Sequence, residues 1–104
     1  MSAQGVQWVT PVQTTFMYRP PDWNPLERAL VAEFGDAAVN AAAGFWFIGF
    51  VAGPDDVGEL RLYEHSRTHR RIALDCNGRA YRWFDEMSGY SRVSVERALV
   101  DVLV

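Results

Sequence analysis

Four side chains in the sequence are of types that take part in catalysis or metal binding: His65, His69, Asp75 and Cys76. The two histidines are four residues apart, which is the spacing of two zinc ligands on one helix face. Here they flank a short polar connection between two predicted strands, where this spacing has no such meaning. Glu64 and Cys76 can supply further ligands, but the chain contains neither a CxxC nor an HExxH motif. We therefore expect polar histidines at strand ends and no metal site.

The single cysteine is also a candidate nucleophile, with a histidine as its base and Asp75 as the group that orients the base. Cys76 sits beside a predicted tight turn, and no oxyanion motif accompanies it, so we expect a structural thiol. The glycines at 49, 53 and 58 do not have the spacing of a phosphate-binding loop. These absences predict a protein that is not an enzyme and has no cofactor. A small enzyme that uses His65, His69 or Cys76 remains the alternative.

Composition predicts one domain over residues 1–104, with residues 1–5 disordered. Apolar residues make up 49% of the chain and the net charge is −3, which excludes a disordered chain and gives no attraction to nucleic acid or acidic membranes. One cysteine rules out an internal disulfide and fits a reducing compartment. No signal peptide is evident, and the longest apolar run, 45–52, is too short to cross a bilayer. We therefore expect a cytoplasmic protein without a membrane partner.

Three segments have the pattern of β-strands. Residues 12–18 alternate between Val, Thr, Phe or Tyr and polar positions, which predicts a half-buried strand. Residues 45–51 form a continuous aromatic and β-branched run, which predicts a strand buried on both faces. Residues 59–64 alternate again, with Leu60 and Leu62 on one face.

Helix signals lie on both sides of these strands. Asn24 is the predicted N-cap of a first helix that ends at Gly35, and Asp36 is the predicted cap of a short second helix over 37–43. Ser94 is the predicted cap of a final helix. Together these elements predict an α+β domain with an antiparallel sheet of about four or five strands and helices packed on one side.

The pair Asn77–Gly78 is the strongest local signal, because Asn-Gly favours a two-residue type I′ turn between antiparallel strands. A two-residue loop pairs Cys76 with Arg79. Continuing this register places one set of side chains inward: Ile72, Leu74, Tyr81 and Trp83. The opposite set then points outward: His69, Arg71, Arg82 and Phe84, with Arg61 and Tyr63 of the preceding strand beside them.

Arginines among aromatic rings on a rigid sheet are the residue types enriched at protein interfaces. The outward set His69, Arg71, Arg82, Phe84, Arg61 and Tyr63 is therefore the candidate partner-binding surface. A solvated sheet face with cross-strand ion pairs explains the same pattern. RNA-binding sheets also carry arginines and aromatics, but the acidic net charge disfavours nucleic acid as a partner.

The stretch Arg70–Trp83 resembles SMI1/KNR4-type domains of the SUKH superfamily, many of which are immunity proteins of bacterial polymorphic toxin systems. The resemblance lies in a strand that ends in Asp, a turn around Gly, and a second strand that begins with Ala-Tyr-Arg-Trp. The helix that starts at Ser94 is similar to the one that follows such hairpins in this family. The resemblance implies a non-enzymatic protein that binds and neutralises a toxin or effector, from a bacterium or a phage. The alternative is a small self-associating scaffold, such as a homodimer, or a subunit of a larger complex.

Overall fold

The computed structural model describes residues 19–104, so the strand predicted over 12–18 and the disorder predicted for 1–5 lie outside the described residues. Within the described residues, three α-helices and five strands follow one another. They are α1 (Asn24–Phe34), α2 (Ala38–Ala42), β1 (Phe45–Ala52), β2 (Glu59–His65), β3 (Arg71–Leu74), β4 (Ala80–Asp85), β5 (Gly89–Val93) and α3 (Val95–Leu103). A 3₁₀ turn, Gly35–Ala37, joins α1 to α2.

The five strands form one antiparallel sheet in the order β1-β2-β3-β4-β5, so each strand pairs with its neighbours along the chain. One face of this sheet carries the helices. Its core joins residues of all three helices to residues of the sheet, in the set Leu26, Ala29, Leu30, Ala38, Phe45, Tyr63, Ile72, Leu74, Ala80, Leu99 and Val102. The predicted α+β class, with helices on one side, is confirmed. None of the helices described is both long and apolar enough to cross a bilayer.

The opposite face of the sheet has a smaller apolar cluster that consists of strand residues: Leu60, Leu62, Ala73 and Tyr81. Leu60 and Leu62 share this face, as the alternation in 59–64 predicts. We call the two sides the helix-covered face and the opposite face.

The predicted N-cap of the first helix is wrong by one residue. Trp23 holds the cap position, and its carbonyl accepts the Glu27 N–H at 3.0 Å. Asn24 instead donates its N–H to the Asp22 carboxylate at 3.3 Å. The Trp23 ring lies 5.8 Å from the Tyr63 ring, so packing against the sheet places this residue. The end at Gly35 is confirmed, with a φ of 58°. Asp36 does not cap the second helix, which begins two residues later after the 3₁₀ turn.

The prediction that the strand over 45–51 is buried on both faces is also wrong. Among residues 19–104, β1 pairs with a neighbour on one side only, and its register shifts between Phe47 and Gly49. Trp46 and Ile48 are 56% and 40% exposed. The physical reason is that the described helices pack on one face of the sheet, which buries Phe45 and leaves the other face of β1 without a covering layer among residues 19–104.

The predicted two-residue hairpin and its register are wrong as well. Asp75 pairs with Arg79, which leaves the three-residue loop Cys76–Gly78. Gly78 N–H donates to the Asp75 carbonyl at 3.0 Å, and Gly78 has a φ of 83°, as in a type I turn followed by a bulge. A type I′ turn requires a positive φ at Asn77 too, but His69 is the one non-glycine residue with a positive φ in the described chain.

The Asp75 carboxylate explains this loop. Its Oδ1 accepts the N–H groups of Asn77 and Arg79 at 2.9 and 3.0 Å, and its Oδ2 accepts the Tyr81 hydroxyl at 3.0 Å. Ala73 therefore opposes Tyr81, and Leu74 opposes Ala80. Shifting the register by one residue turns the second strand over relative to the first. Ile72 and Leu74 consequently face the helices, while Tyr81 lies on the opposite face.

The C-terminal helix agrees with its prediction, because Ser94 Oγ accepts the Arg97 N–H at 3.1 Å. Its last carbonyls are bound by the loop between β2 and β3. Arg67 donates to the Leu103 carbonyl at 2.8 Å, and Arg70 donates to the Asp101 carbonyl at 3.0 Å. Cations at a helix C-terminus satisfy carbonyls that have no partner within the helix. These bonds fix α3 against the start of β3.

Asp75→Ala is expected to lower the free energy of unfolding by about 2–4 kcal/mol, because two loop N–H groups and the buried Tyr81 hydroxyl lose their acceptor. Asp75→Asn keeps one acceptor oxygen and is expected to lose less. Urea denaturation of both variants measures this difference. A stability of Asp75→Ala equal to that of the unaltered protein would contradict the assignment.

Candidate functional site

A cleft of about 500 Å³ opens between β3 and β4. Its walls come from both faces of the sheet and from α3. They comprise Leu62, Arg70, Arg71, Ile72, Ala73, Tyr81, Arg82, Trp83, Tyr90, Val93, Arg97, Ala98 and Asp101. We call this site the β3–β4 cleft.

The cleft exists because the two strands diverge. Within the described chain, β3 and β4 pair at two positions, Ala73–Tyr81 and Leu74–Ala80. Beyond these positions β3 stays paired with β2, through Glu64 and Arg71, while β4 stays paired with β5, through Trp83 and Tyr90. The gap between the strands therefore begins after Tyr81 and reaches through the sheet.

Positive charge dominates the walls of the cleft. Among the described residues they contain four arginines and one carboxylate, that of Asp101, in a chain whose net charge is −3. Arg82 Nη1 lies 3.9 Å from Asp101 Oδ2, and Arg70 Nη1 donates to the Asp101 carbonyl. The side chains of Arg82 and Asp101 are 59% and 50% exposed, so this ion pair contributes little to stability. Arg70 and Arg82 thus both contact Asp101, in the last turn of α3.

Arg71 approaches the cleft from the opposite face of the sheet. Its Nε donates to Glu64 Oε1 at 3.0 Å, and His69 Nδ1 lies 3.6 Å from Glu64 Oε2. The hydrogen bond from Arg71, together with the contact from His69, lowers the pKa of Glu64. This carboxylate is therefore ionised at neutral pH and orients Arg71, which uses one of its five N–H donors for it.

Two half-exposed aromatic rings lie at the cleft: Trp83 lines it on the opposite face with Tyr90, and Phe84 lies beside it on the side of α3 with Arg82. Trp83 is 53% exposed, and its ring meets the Tyr90 ring at 5.3 Å and 70°. Phe84 is 54% exposed, with the Arg82 guanidinium carbon 5.8 Å from its ring centre. Large apolar side chains that remain half in water beside arginines have the composition of an interface hot spot.

The six predicted partner-binding residues do not form one surface. Arg71 and His69 meet at Glu64 on the opposite face, whereas Arg82 and Phe84 lie on the side of α3. The shifted register separates Arg71 from Arg82, and the gap between the strands brings both to the same cleft. Sequence reasoning missed Arg70, Arg97 and the exposed position of Trp83. Arg97 and Asp101 are four residues apart on the predicted final helix, but nothing in the sequence indicates that this side of α3 faces β4.

The predicted exposure of Arg61 and Tyr63 is wrong. Tyr63 is fully buried in the main core, and its hydroxyl donates to the Asp22 carbonyl. Burial, with Asp22 nearby, raises the pKa of this phenol. Arg61 Nε lies 2.9 Å from Asp22 Oδ2. Both side chains hold the segment before α1 on the helix-covered face, so we remove them from the candidate site.

The residues considered for catalysis lie apart from the cleft. His65 is buried, and its Nδ1 accepts the N–H groups of Arg67 and Thr68 at 3.2 and 3.4 Å. Its ring packs edge-on against Phe45 at 5.0 Å. Cys76 is exposed in the hairpin loop, and the neighbouring Asp75 carboxylate is used by the loop itself. His65 and Asp75 are therefore both engaged in structural hydrogen bonds.

No family model, curated protein or solved structure matches this chain.

His65 is expected to make stability depend on pH. Burial, with Arg67 adding to it, lowers the pKa of this imidazole below its ordinary value of 6.5. The unfolded chain then binds a proton more readily than the folded one, so stability is complete above pH 6.5 and decreases as the pH falls below it. Urea midpoints at pH 7.5 and 5.5 should show a decrease in the unaltered protein and a smaller decrease in His65→Gln.

His69→Gln is the matched control, because it removes the exposed imidazole and leaves His65 in place. This control should keep the decrease of the unaltered protein. The same decrease in His65→Gln would show that His65 is not its source.

Proposed function

We propose that this chain is a non-enzymatic inhibitor that binds another protein through the β3–β4 cleft. In its most concrete form it is an immunity-type protein that acts in the cytosol of a bacterium or phage-infected cell and neutralises a toxin or defence effector by occlusion. The resemblance of Arg70–Trp83 to SMI1/KNR4-type domains supports this form of the proposal. One structural observation carries it: four arginines line a single cleft whose wall includes the half-exposed ring of Trp83.

The chemistry of the cleft indicates what part of the partner it holds. Arginine forks bind carboxylates in two places, and Arg71 and Arg82 approach the cleft from two directions. Trp83 offers apolar surface on the side of Arg71, and Phe84 offers it on the side of Arg82. An acidic segment of the partner with an adjacent apolar side chain fits both features, and the opposite charges speed association. Occlusion follows because the occupied segment can no longer reach its own target.

A second candidate function is self-association, and β1 is the observation that favours it, because among residues 19–104 it pairs with a strand on one side only. Its eight residues contain no charged side chain and no proline, and Trp46 and Ile48 are exposed along it. Long apolar edge strands without charges are the ones that pair with other chains. A second copy of this chain can pair with such an edge without any repulsion between charges.

Arg82→Glu is expected to abolish partner binding, because it replaces a cation of the cleft by an anion that repels the acidic segment. The measurement is affinity purification of tagged protein from the native host, with quantification by mass spectrometry. Arg28→Glu is the matched control, since Arg28 is an exposed arginine on α1 outside the cleft walls. One protein should be recovered with the unaltered chain and with Arg28→Glu, and it should fall at least tenfold with Arg82→Glu.

Expression of the recovered protein in the host then tests inhibition. Growth should be impaired by this protein alone, restored by the unaltered chain, and not restored by Arg82→Glu. Equal recovery with Arg82→Glu and Arg28→Glu would rule out the cleft as the binding surface. Recovery of untagged copies of this chain alone would favour self-association instead.

A further inference from the structure

The β3–β4 cleft has two chemically different parts. Its inner wall is apolar and consists of residues from both faces of the sheet and from α3: Leu62, Ile72, Ala73, Val93 and Ala98. Its polar groups are the guanidinium groups of Arg70, Arg71, Arg82 and Arg97, with Asp101 as the single carboxylate among the described lining residues. An apolar interior beside several cations is suited to a molecule that has an apolar body and an anionic head.

We propose that the β3–β4 cleft is also a binding site for a small amphiphilic anion, namely an aromatic body that carries a phosphate or carboxylate group. This inference goes beyond the proposed inhibitor function and does not depend on it, since such a ligand binds whether or not a partner protein exists. The cleft measures about 500 Å³. This volume lies within the range of roughly 300–1,000 Å³ typical of small-molecule sites.

The arginines are arranged to receive the anionic head. Arg70 and Arg82 both contact Asp101, one at its backbone carbonyl and the other at its carboxylate, on the side of the cleft formed by α3. Arg71 is held in place from the other side by Glu64. The bonds of Arg70 and Arg71 to these partners are each made by a single nitrogen, and a guanidinium group has five N–H donors in a planar fork. Each therefore retains donors for the oxygens of a phosphate or carboxylate.

The aromatic body has a matching surface in Trp83, which lies with Tyr90 on the opposite face, the side from which Arg71 enters the cleft. This ring is fixed by its edge-on contact with Tyr90 at 5.3 Å, yet half of its surface remains exposed. A ring held by one neighbour and open on its other side can stack a second ring at little cost in conformational entropy. Tyr81, which is also part of the wall, is fixed by its bond to the Asp75 carboxylate. The aromatic side of the site is thus formed before a ligand arrives.

Isothermal titration calorimetry of the purified chain with 1-naphthyl phosphate tests this inference directly. We expect one binding site per chain, with an affinity at least tenfold higher than that of inorganic phosphate, because the phosphate ion alone makes no use of the aromatic wall. Binding should weaken as salt is added, since the head is held by partly solvated charges.

Two variants separate the two parts of the site. Arg82→Gln is expected to weaken binding of 1-naphthyl phosphate about tenfold through loss of a charge-assisted hydrogen bond, and Trp83→Ala should bring its affinity close to that of inorganic phosphate. Arg28→Gln and Trp46→Ala are the matched controls, because they remove an exposed arginine and a half-exposed tryptophan outside the cleft. Both altered side chains of the site are exposed, so these variants should fold.

The inference is overturned if 1-naphthyl phosphate does not bind, if it binds no better than inorganic phosphate, or if the control variants weaken it as much as the site variants do. Each of these outcomes concerns the small ligand only. Partner binding is measured separately by affinity purification, so a failure of one proposal is distinguishable from a failure of the other.

Discussion

The Asp75 carboxylate is the interaction on which the rest of the sheet depends. It is buried, and it accepts hydrogen bonds from two backbone N–H groups of the loop and from the Tyr81 hydroxyl. These bonds make a three-residue loop the stable one, although the Asn-Gly pair favours a two-residue turn. The register of β4 against β3, and therefore the face on which every β4 side chain lies, follows from this choice.

The cleft is a consequence of the same register. Tyr81 completes the cluster on the opposite face, where it meets Leu62 and Ala73, and the pairing of β3 with β4 ends there. Beyond that point each strand follows its other neighbour, and the loop that carries Arg67 and Arg70 holds α3 across the start of β3. The four arginines of the cleft come from β3, β4, α3 and the loop before β3. They meet because the strands part at this place and the helix is fixed over it.

Hydrophobic periodicity predicts the class of the fold, most of the strands and the final helix, because these features depend on local patterns of burial. The side chains that β1 exposes depend on which face of the sheet the helices cover, which no local pattern encodes. The hairpin register was predicted from Asn77 and Gly78 alone. The residue that decides it, Asp75, stands just before them, and its effect requires a partner in Tyr81 on the next strand. Asn24 similarly has the residue type of a helix cap, but the packing of Trp23 decides the first turn.

The candidate site shows the same division between local and long-range information. Arg71, Arg82 and Phe84 were singled out by residue type, and they lie at or beside the cleft. Arg61 and Tyr63 have the same residue types, yet they are held on the helix-covered face by Asp22, which is 39 and 41 residues away in the sequence. Arg70 and Arg97 join the site through the contacts of α3. Residue type therefore identifies candidates, and tertiary contacts decide which of them share a site.

The most direct test of the central claim, that the β3–β4 cleft is where this protein meets its partner, is site-specific photo-crosslinking in the native host. A photoreactive phenylalanine analogue replaces Trp83 at the mouth of the cleft, and in a separate variant it replaces Val39, which is 79% exposed on α2. If the partner binds at the cleft, one protein is crosslinked from position 83 and is not crosslinked from position 39. Crosslinking of the same protein from position 39 but not from position 83 would contradict it.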